Sequence, residues 1–208
     1  NGDILTPFRN SEGSINHSNA YGLTGYLIVL LDSIKSKREL ERFKTVLGQG
    51  IDAISDTILM PFLEKSKEEA LSILDYSWSK GILPILLLLY KYTLLYSNIK
   101  SRFLVDDLEK LFTEQLLLQS PKSLKDAAFS TGLTGSACIY DSLFHMTGKI
   151  NFKRQKEYCV SVLGSSQIGQ TDISYEIGSL INGIPGYILN QIAYGKGKPF
   201  EWKSLFGL

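Results

Sequence analysis

The sequence has few of the residues that build the commonest kinds of site. Only two cysteines, Cys138 and Cys159, and two histidines, His17 and His145, occur in 208 residues. No C-x-x-C spacing is present, which argues against a disulfide framework and fits a reducing compartment. We therefore expect a cytoplasmic protein whose cysteines are small core hydrophobes.

A clustered basic region and a long apolar run are also missing. The net charge is +1, and the most charged segment, KSKRELERFK (35–44), mixes both signs at helical spacing. Such a segment is typical of a solvated helix face, so we expect no nucleic-acid partner. The longest apolar run, GILPILLLLYKY (81–92), is shorter than the ~20 residues of a bilayer span, which predicts no transmembrane segment. No signal-peptide pattern is present. Because the first residue is Asn rather than Met, we expect a piece of a longer protein.

What the sequence does contain is a repeat. Four glycines begin apolar segments at spacings of 59, 51 and 51 residues: Gly22, Gly81, Gly132 and Gly183. Amphipathic segments follow at 39–59, 105–119 and 150–165, while the fourth repeat is followed only by 202–208. Strand patterns are nearly absent, and residues 1–18 are typical of an incoming loop. The fold class predicted is all-α: one domain over 1–208, with stacked hairpins starting near 20, 79, 130 and 181.

Each hairpin has a distinct inner and outer helix. The first helix is apolar almost all round, which predicts an inner position, and the second should face water. The leading glycine lies where the helix begins. Three repeats have a second glycine three residues later: Gly25, Gly135 and Gly186. Glycine there allows close backbone approach and can supply a positive φ before the first turn.

The entrance segments YGLTGYLIVLLDS, WSKGILPILLLLY, STGLTGSACIYDSLFHMTGK and NGIPGYILNQIAYG resemble those of lanthionine synthetase C-like cyclases. The resemblance runs along the whole chain, and EWKSLFGL is similar to the family's C-terminal helix. It implies an α/α toroid of seven hairpins, of which this chain would hold the last four. It also implies thioether formation, in which a peptide cysteine adds to a dehydroalanine or dehydrobutyrine.

Zinc-dependent members of that family hold the metal with the cysteine of a W-C-x-G motif and with both residues before the glycine of C-H-G. These positions fall here on Ser79, Ser130 and Thr131, and the histidine of a further H-G motif falls on Tyr21. Hydroxyls are poor zinc ligands compared with thiolate and imidazole, so we expect neither a metal nor another cofactor.

Two residues are candidates for the lost histidine's role. His17 lies four residues before Tyr21 and could turn toward the pocket, or it could be an ordinary solvated loop residue. Tyr21 could donate a proton to an enolate-like intermediate, or it could simply fill the space that histidine leaves. His145 is expected near the end of an inner helix, where it favours the helix dipole.

Three functions remain open from the sequence. The first is a zinc-independent cyclase-like domain of a lanthipeptide synthetase, with kinase and lyase domains or a dehydratase as further partners. The second is a catalytically dead module that binds a precursor peptide or a partner enzyme. The third is a glycan-processing toroid, against which stands the lack of a paired carboxylate at an entrance, since Glu176 is alone. In the first two, the partners are a precursor peptide and the remaining N-terminal hairpins.

Overall fold

The described residues of this protein are helical in every regular element. A computed structural model describes residues 5–66, 69–70, 75–97, 99–116 and 129–164. No strand occurs within these ranges, where the pairing is limited to an isolated bridge between Arg9 and Ile15. The all-α class is therefore confirmed for this part, whereas the closed ring of hairpins stays a prediction. The helices are α1 (Leu23–Ser33), α2 (Lys37–Ile54), α3 (Met60–Leu63), α4 (Ile82–Tyr96), α5 (Ile99–Leu116), α6 (Leu133–Thr147) and α7 (Ile150–Gly164).

The chain divides into two compact units. The first comprises residues 1–74 and 84–112, and the second comprises 75–83 and 113–208. Helix α4 therefore gives its first two residues to the second unit and the remainder to the first. Residues 5–22, which precede α1, form turns and one short 3-10 helix, Thr6–Phe8, as the composition predicted for an incoming loop.

In the first unit, α1, α2 and α4 are in direct contact. A Cβ added at Gly50 of α2 would lie 2.7 Å from a methyl group of Leu27 on α1, so glycine allows these two helices to approach closely. The ammonium group of Lys91 on α4 lies 2.6 and 2.8 Å from the two carboxylate oxygens of Asp32 at the end of α1. The hydroxyl of Tyr96 donates to the Leu40 carbonyl of α2 at 2.7 Å. These contacts place the second hairpin against the first.

Helix α2 begins at a side-chain cap and continues beyond its regular end. The N-cap Ser36 accepts from the Glu39 N–H at 3.2 Å, and the Glu39 carboxylate accepts from the Lys35 N–H at 2.9 Å, a reciprocal pattern close to a capping box. After Ile54 the chain widens into the π-helical segment Ser55–Leu59 before α3. Single π-helical turns within α-helices are often found at functional sites.

In the second unit, α6 and α7 form a hairpin joined by two residues. Gly148 ends α6 with φ +70°, a left-handed conformation that favours glycine, as the sequence predicted for a breaker at this position. The carboxylate of Asp141 on α6 is buried and lies 2.7 Å from the Lys156 ammonium of α7. The Tyr140 and Phe152 rings stack across the same pair of helices at 6.5 Å.

The predicted burial of the first helix of a hairpin is confirmed for α4 and α6, whereas their inner position in a ring stays a prediction. Every residue from 82 to 90 in α4 and from 133 to 141 in α6 is buried, whereas buried and exposed residues alternate at helical spacing over 100–111 in α5 and 150–163 in α7. Helix α1 differs, because Tyr26 and Val29 are 46% and 59% exposed. Their counterparts at the same distance from the leading glycine are buried: Ile85, Leu88, Ser136 and Ile139. The expectation that further hairpins precede this one stays a prediction.

One predicted boundary was wrong. The apolar pattern placed the second amphipathic helix at 105, but α5 begins at Ile99, so Asp106 and Asp107 lie within the helix. The first turns were missed because their buried face includes a small polar residue, Ser101, whose hydroxyl accepts from Thr93 Oγ1 at 3.1 Å. The fourth hairpin, with Gly183 and Gly186, lies outside the described residues. Among the described helices, none combines the length and the apolar character that crossing a membrane requires.

Candidate functional site

The loop that leads into α1, entrance 1 (residues 16–25), is closed by three hydrogen bonds. The Asn16 side-chain oxygen accepts from the Ser18 N–H at 3.0 Å, and the Ser18 hydroxyl accepts from the Tyr21 N–H at 3.2 Å. The backbone carbonyl of Asn16 then accepts from the Leu23 N–H at 2.8 Å. These are an Asx turn and a Ser turn in succession, and they satisfy one of the unpaired donors at the start of the helix.

The loop that leads into α4, entrance 2 (residues 75–84), repeats all three bonds 59 residues later. The Asp75 carboxylate accepts from the Ser77 N–H at 2.7 Å, and the Ser77 hydroxyl accepts from the Lys80 N–H at 3.3 Å. The Asp75 carbonyl accepts from the Ile82 N–H at 2.9 Å. The sequence spacing therefore corresponds to a true structural repeat.

The residues that form these bonds were missed from the sequence, which drew attention to the glycines alone. The available signal was the pattern Asn/Asp-x-Ser-x-x-x-Gly, which recurs from Asn16 to Gly22 and from Asp75 to Gly81. Short polar side chains bond to nearby backbone groups and favour turns, so the pattern has a physical cause.

The leading glycines permit close backbone approach. A Cβ at Gly22 would meet the Asn16 carbonyl and lie 2.6 Å from the Ser18 nitrogen; one at Gly81 would lie 2.5 Å from the Asp75 and Ser77 carbonyl oxygens. The alternative reason, a positive φ, was wrong. Gly22 has φ −128°, and the equivalent Gly132 before α6 has φ −113°, both extended values that any residue adopts.

The second glycines lie even closer to the preceding loop. A Cβ at Gly25 would overlap the Asn19 carbonyl, and one at Gly135 would overlap the Phe129 carbonyl. At Gly135 it would also lie 2.7 Å from the Trp78 Cβ, while the Trp78 and Phe129 rings are in contact with centroids 5.0 Å apart. Glycine at this position therefore lets two successive entrances pack against one helix.

Entrances 2 and 3 (the latter described from 129 to 135) are neighbours in the second unit. The Ser79 N–H donates to the Ser130 carbonyl at 2.9 Å. The hydroxyl of Ser136, in the first turn of α6, donates to the Tyr76 carbonyl at 2.9 Å. Two of the three positions where the resemblance implies zinc ligands are thus joined directly by a backbone hydrogen bond, and Thr131 follows the second of them.

The side chains at these three positions do not fit zinc. Ser79 and Ser130 are buried and Thr131 is exposed, and all three offer only neutral hydroxyls, which cannot compete with thiolate and imidazole for this metal. Within the described ranges, no group of three or more His, Cys, Asp or Glu side chains is placed to hold a metal ion. The structure therefore provides no basis for a metal-assisted step at this site.

Tyr21 is fixed through its backbone and open at its side chain. Its N–H donates to Ser18, its carbonyl accepts from the Asn16 side-chain amide at 3.3 Å, and 85% of the residue is exposed. The phenol is thus free to meet a ligand in solvent, and it does not fill an internal space.

His17 contacts the π-helical segment. Its Nε2 lies 3.1 Å from the hydroxyl oxygen of Thr57, and that hydroxyl donates its single proton to the Ala53 carbonyl at 2.6 Å. The hydroxyl can therefore only accept from the ring, which fixes the proton of neutral His17 on Nε2 and leaves the lone pair on Nδ1. This Nδ1 is buried and has no hydrogen-bond partner among the described residues.

Burial lowers the pKa of His17 below its ordinary value of 6.5, because the ring loses hydration that the charged form requires. His17 is thus a neutral, half-buried imidazole rather than a solvated loop histidine. In that state it has the protonation form of a general base, with the basic nitrogen turned into the protein.

The remaining sulfur and imidazole groups have structural surroundings. Cys138 and Cys159 are buried, as predicted, and neither forms a disulfide; burial raises the pKa of Cys159 to about 12, which makes it unreactive. His145 lies in the last turn of α6, as predicted, with Nε2 3.4 Å from the Asp141 carboxylate.

Comparison of the sequence with protein-family models and with curated proteins found no match. The resemblance to the lanthionine cyclases therefore rests on the entrance motifs alone.

We expect Gly135→Ala to lower the free energy of unfolding by about 1–3 kcal/mol, because the new methyl group overlaps a backbone carbonyl that cannot move without breaking the contact between entrances. The matched control is Gly48→Ala in α2. There the methyl group would lie 3.9 Å from the Tyr92 hydroxyl, so the usual gain of roughly 0.5–1 kcal/mol is expected. Urea denaturation measures both, and equal effects of the two substitutions would contradict the close approach.

A second prediction concerns acid stability. Unfolded His17 takes up its proton near pH 6.5, and the folded protein does so only at lower pH, so stability should fall as the pH drops below 6.5 toward the folded pKa. His17→Gln should reduce this loss between pH 7 and 5.5. Thermal melts across this range test the difference, and an identical pH dependence in wild type and His17→Gln would rule it out.

Proposed function

We propose that this chain is a zinc-independent, lanthionine cyclase-like domain that adds peptide cysteine thiols to dehydroalanine or dehydrobutyrine. The observation that carries the proposal is the bond between the Ser79 N–H and the Ser130 carbonyl. In the zinc-dependent members of the family, residues from two successive entrances must lie together to hold one metal. The bond shows that the equivalent positions lie together in this chain, which supports the resemblance. Their hydroxyl side chains support the zinc-independent form of the activity.

The chemistry of such a ring closure does not require a metal. The cysteine S–H bond breaks and its proton passes to a base or to water, and the thiolate forms an S–C bond with the β-carbon of the dehydro residue. The displaced electron pair of the C=C bond is protonated at the α-carbon. Holding the two groups of one peptide in reach lowers the barrier by up to roughly 7–11 kcal/mol, and general acid–base assistance adds to this.

Two side chains of the first unit have properties suited to the proton transfers. Tyr21 presents an exposed phenol at a rigid entrance, which favours it as a donor to the enolate oxygen. His17 has the neutral Nε2–H form that a base needs, although its Nδ1 has to become accessible before it can act.

The burial of that Nδ1 favours a second candidate function. If His17 is held permanently against Thr57, entrance 1 offers no base, and the domain would bind a precursor peptide or a partner enzyme without modifying it. The two functions make different predictions for the same substrate, because only the first consumes thiols.

We expect the full-length protein to consume cysteine thiols of its dehydrated precursor peptide. Each ring closed should remove one alkylation site, so iodoacetamide treatment and mass spectrometry should show fewer labels than in an enzyme-free control. Tyr21→Phe and His17→Gln should slow the loss, and Gly48→Ala, which lies away from the entrances, is the matched control.

A peptide that binds but keeps every thiol would reject the cyclase and establish the binding module. Thiol loss in wild type with unchanged rates in both variants would keep the cyclase and remove Tyr21 and His17 from its site.

A further inference from the structure

Lys80 occupies a position in entrance 2 that the sequence patterns did not single out. It lies directly before the leading glycine, as Tyr21 does in entrance 1 and Thr131 in entrance 3. All three residues are exposed, although the residues on either side of Lys80 and the residue before Thr131 are buried. The repeat thus presents a solvent-facing side chain at this same position of each described entrance, and Lys80 is the cation among these three.

The backbone of Lys80 is held in place. Its N–H donates to the Ser77 hydroxyl, and the next residue, Gly81, donates its N–H to the Ser77 carbonyl at 3.0 Å. The lack of room for a Cβ at Gly81 shows how tightly this loop is folded. The lysine stem therefore starts from a fixed point, which reduces the conformational freedom lost when its ammonium group binds a ligand.

The Ser79–Ser130 bond brings Lys80 near entrance 3. Lys80 and Thr131 each follow one partner of that 2.9 Å bond, so standard backbone dimensions keep their Cα atoms within about 11 Å. A lysine side chain spans much of that distance. Two exposed residues, Lys80 with its ammonium group and Thr131 with its hydroxyl, thus lie near each other where entrances 2 and 3 meet.

The charge of Lys80 is not neutralised within the described ranges. The ion pairs found there involve other lysines, and the nearest acid along the loop, Asp75, uses its carboxylate to accept from the Ser77 N–H at 2.7 Å. An exposed ammonium group without a carboxylate partner attracts an anion.

We infer that Lys80 is the cation that stabilises the substrate thiolate at the junction of entrances 2 and 3. This inference rests on the proposed cyclase function and names the group that supplies positive charge where the residues do not fit a metal. The thiol proton passes to a base or to water, the sulfur is held by the Lys80 ammonium while the S–C bond forms, and the α-carbon takes a proton from an acid or from water. Lysine keeps its own proton throughout.

Lys80→Met retains the apolar stem and removes the charge. An opposite charge within 4–6 Å shifts an acid's pKa by about 1–3 units, so thiol consumption near pH 7 should fall roughly tenfold or more, and the rise of kcat/KM with pH should move to higher pH. Lys80→Arg should restore the wild-type profile to within about threefold. Lys110→Met, an exposed lysine of α5 outside the entrances, is the matched control and should change neither quantity.

The same dehydrated peptide and thiol-alkylation assay serve for all variants. A wild-type protein that consumes no thiol would overturn the cyclase and, with it, this role for Lys80. An active wild type with an unchanged rate and pH profile in Lys80→Met would overturn the role of Lys80 alone. A rate that falls equally at every pH, without rescue by arginine, would also overturn it, since that pattern indicates a structural effect.

Discussion

The described structure depends on a close contact between backbone and backbone at the start of α1, α4 and α6. A carbonyl six residues before a glycine lies against that glycine, and in entrances 1 and 2 the same carbonyl accepts the first free N–H of the helix. Any side chain at the glycine would prevent this contact, because its Cβ would overlap the carbonyl. The contact therefore determines where the helix starts and fixes the two residues before the glycine, which the resemblance identifies as the functional positions.

The bond between Ser79 and Ser130 joins two backbone groups, so it does not depend on the side chain that either residue carries. Hydroxyls at Ser79, Ser130 and Thr131 and an ammonium group at Lys80 are compatible with an unaltered loop. No set of metal ligands is present there among the described residues, and the positive charge that we propose for this site is that of Lys80.

Much of this arrangement could be predicted from the sequence, because it follows from local patterns. The all-α class, the bounds of α4 and the burial of α4 and α6 follow from apolar periodicity, and the need for glycine follows from its spacing. The start of α5 could not be predicted, since Ser101, a buried residue of its first turn, is polar. The tautomer of His17 also required the structure, because Thr57, which determines it, lies 40 residues away in a π-helical segment with no distinct sequence signal.

The central claim is that entrances 2 and 3 together form one site whose metal ligands have been replaced. The most direct test is the zinc content of the triple variant Ser79→Cys, Ser130→Cys, Thr131→His, measured by elemental analysis after dialysis against trace zinc. Our account predicts about one zinc per chain in this variant, far less in the double variant that retains Ser130, and none in wild type. A triple variant that folds and melts like wild type but binds no zinc would contradict the claim that these positions converge on one site.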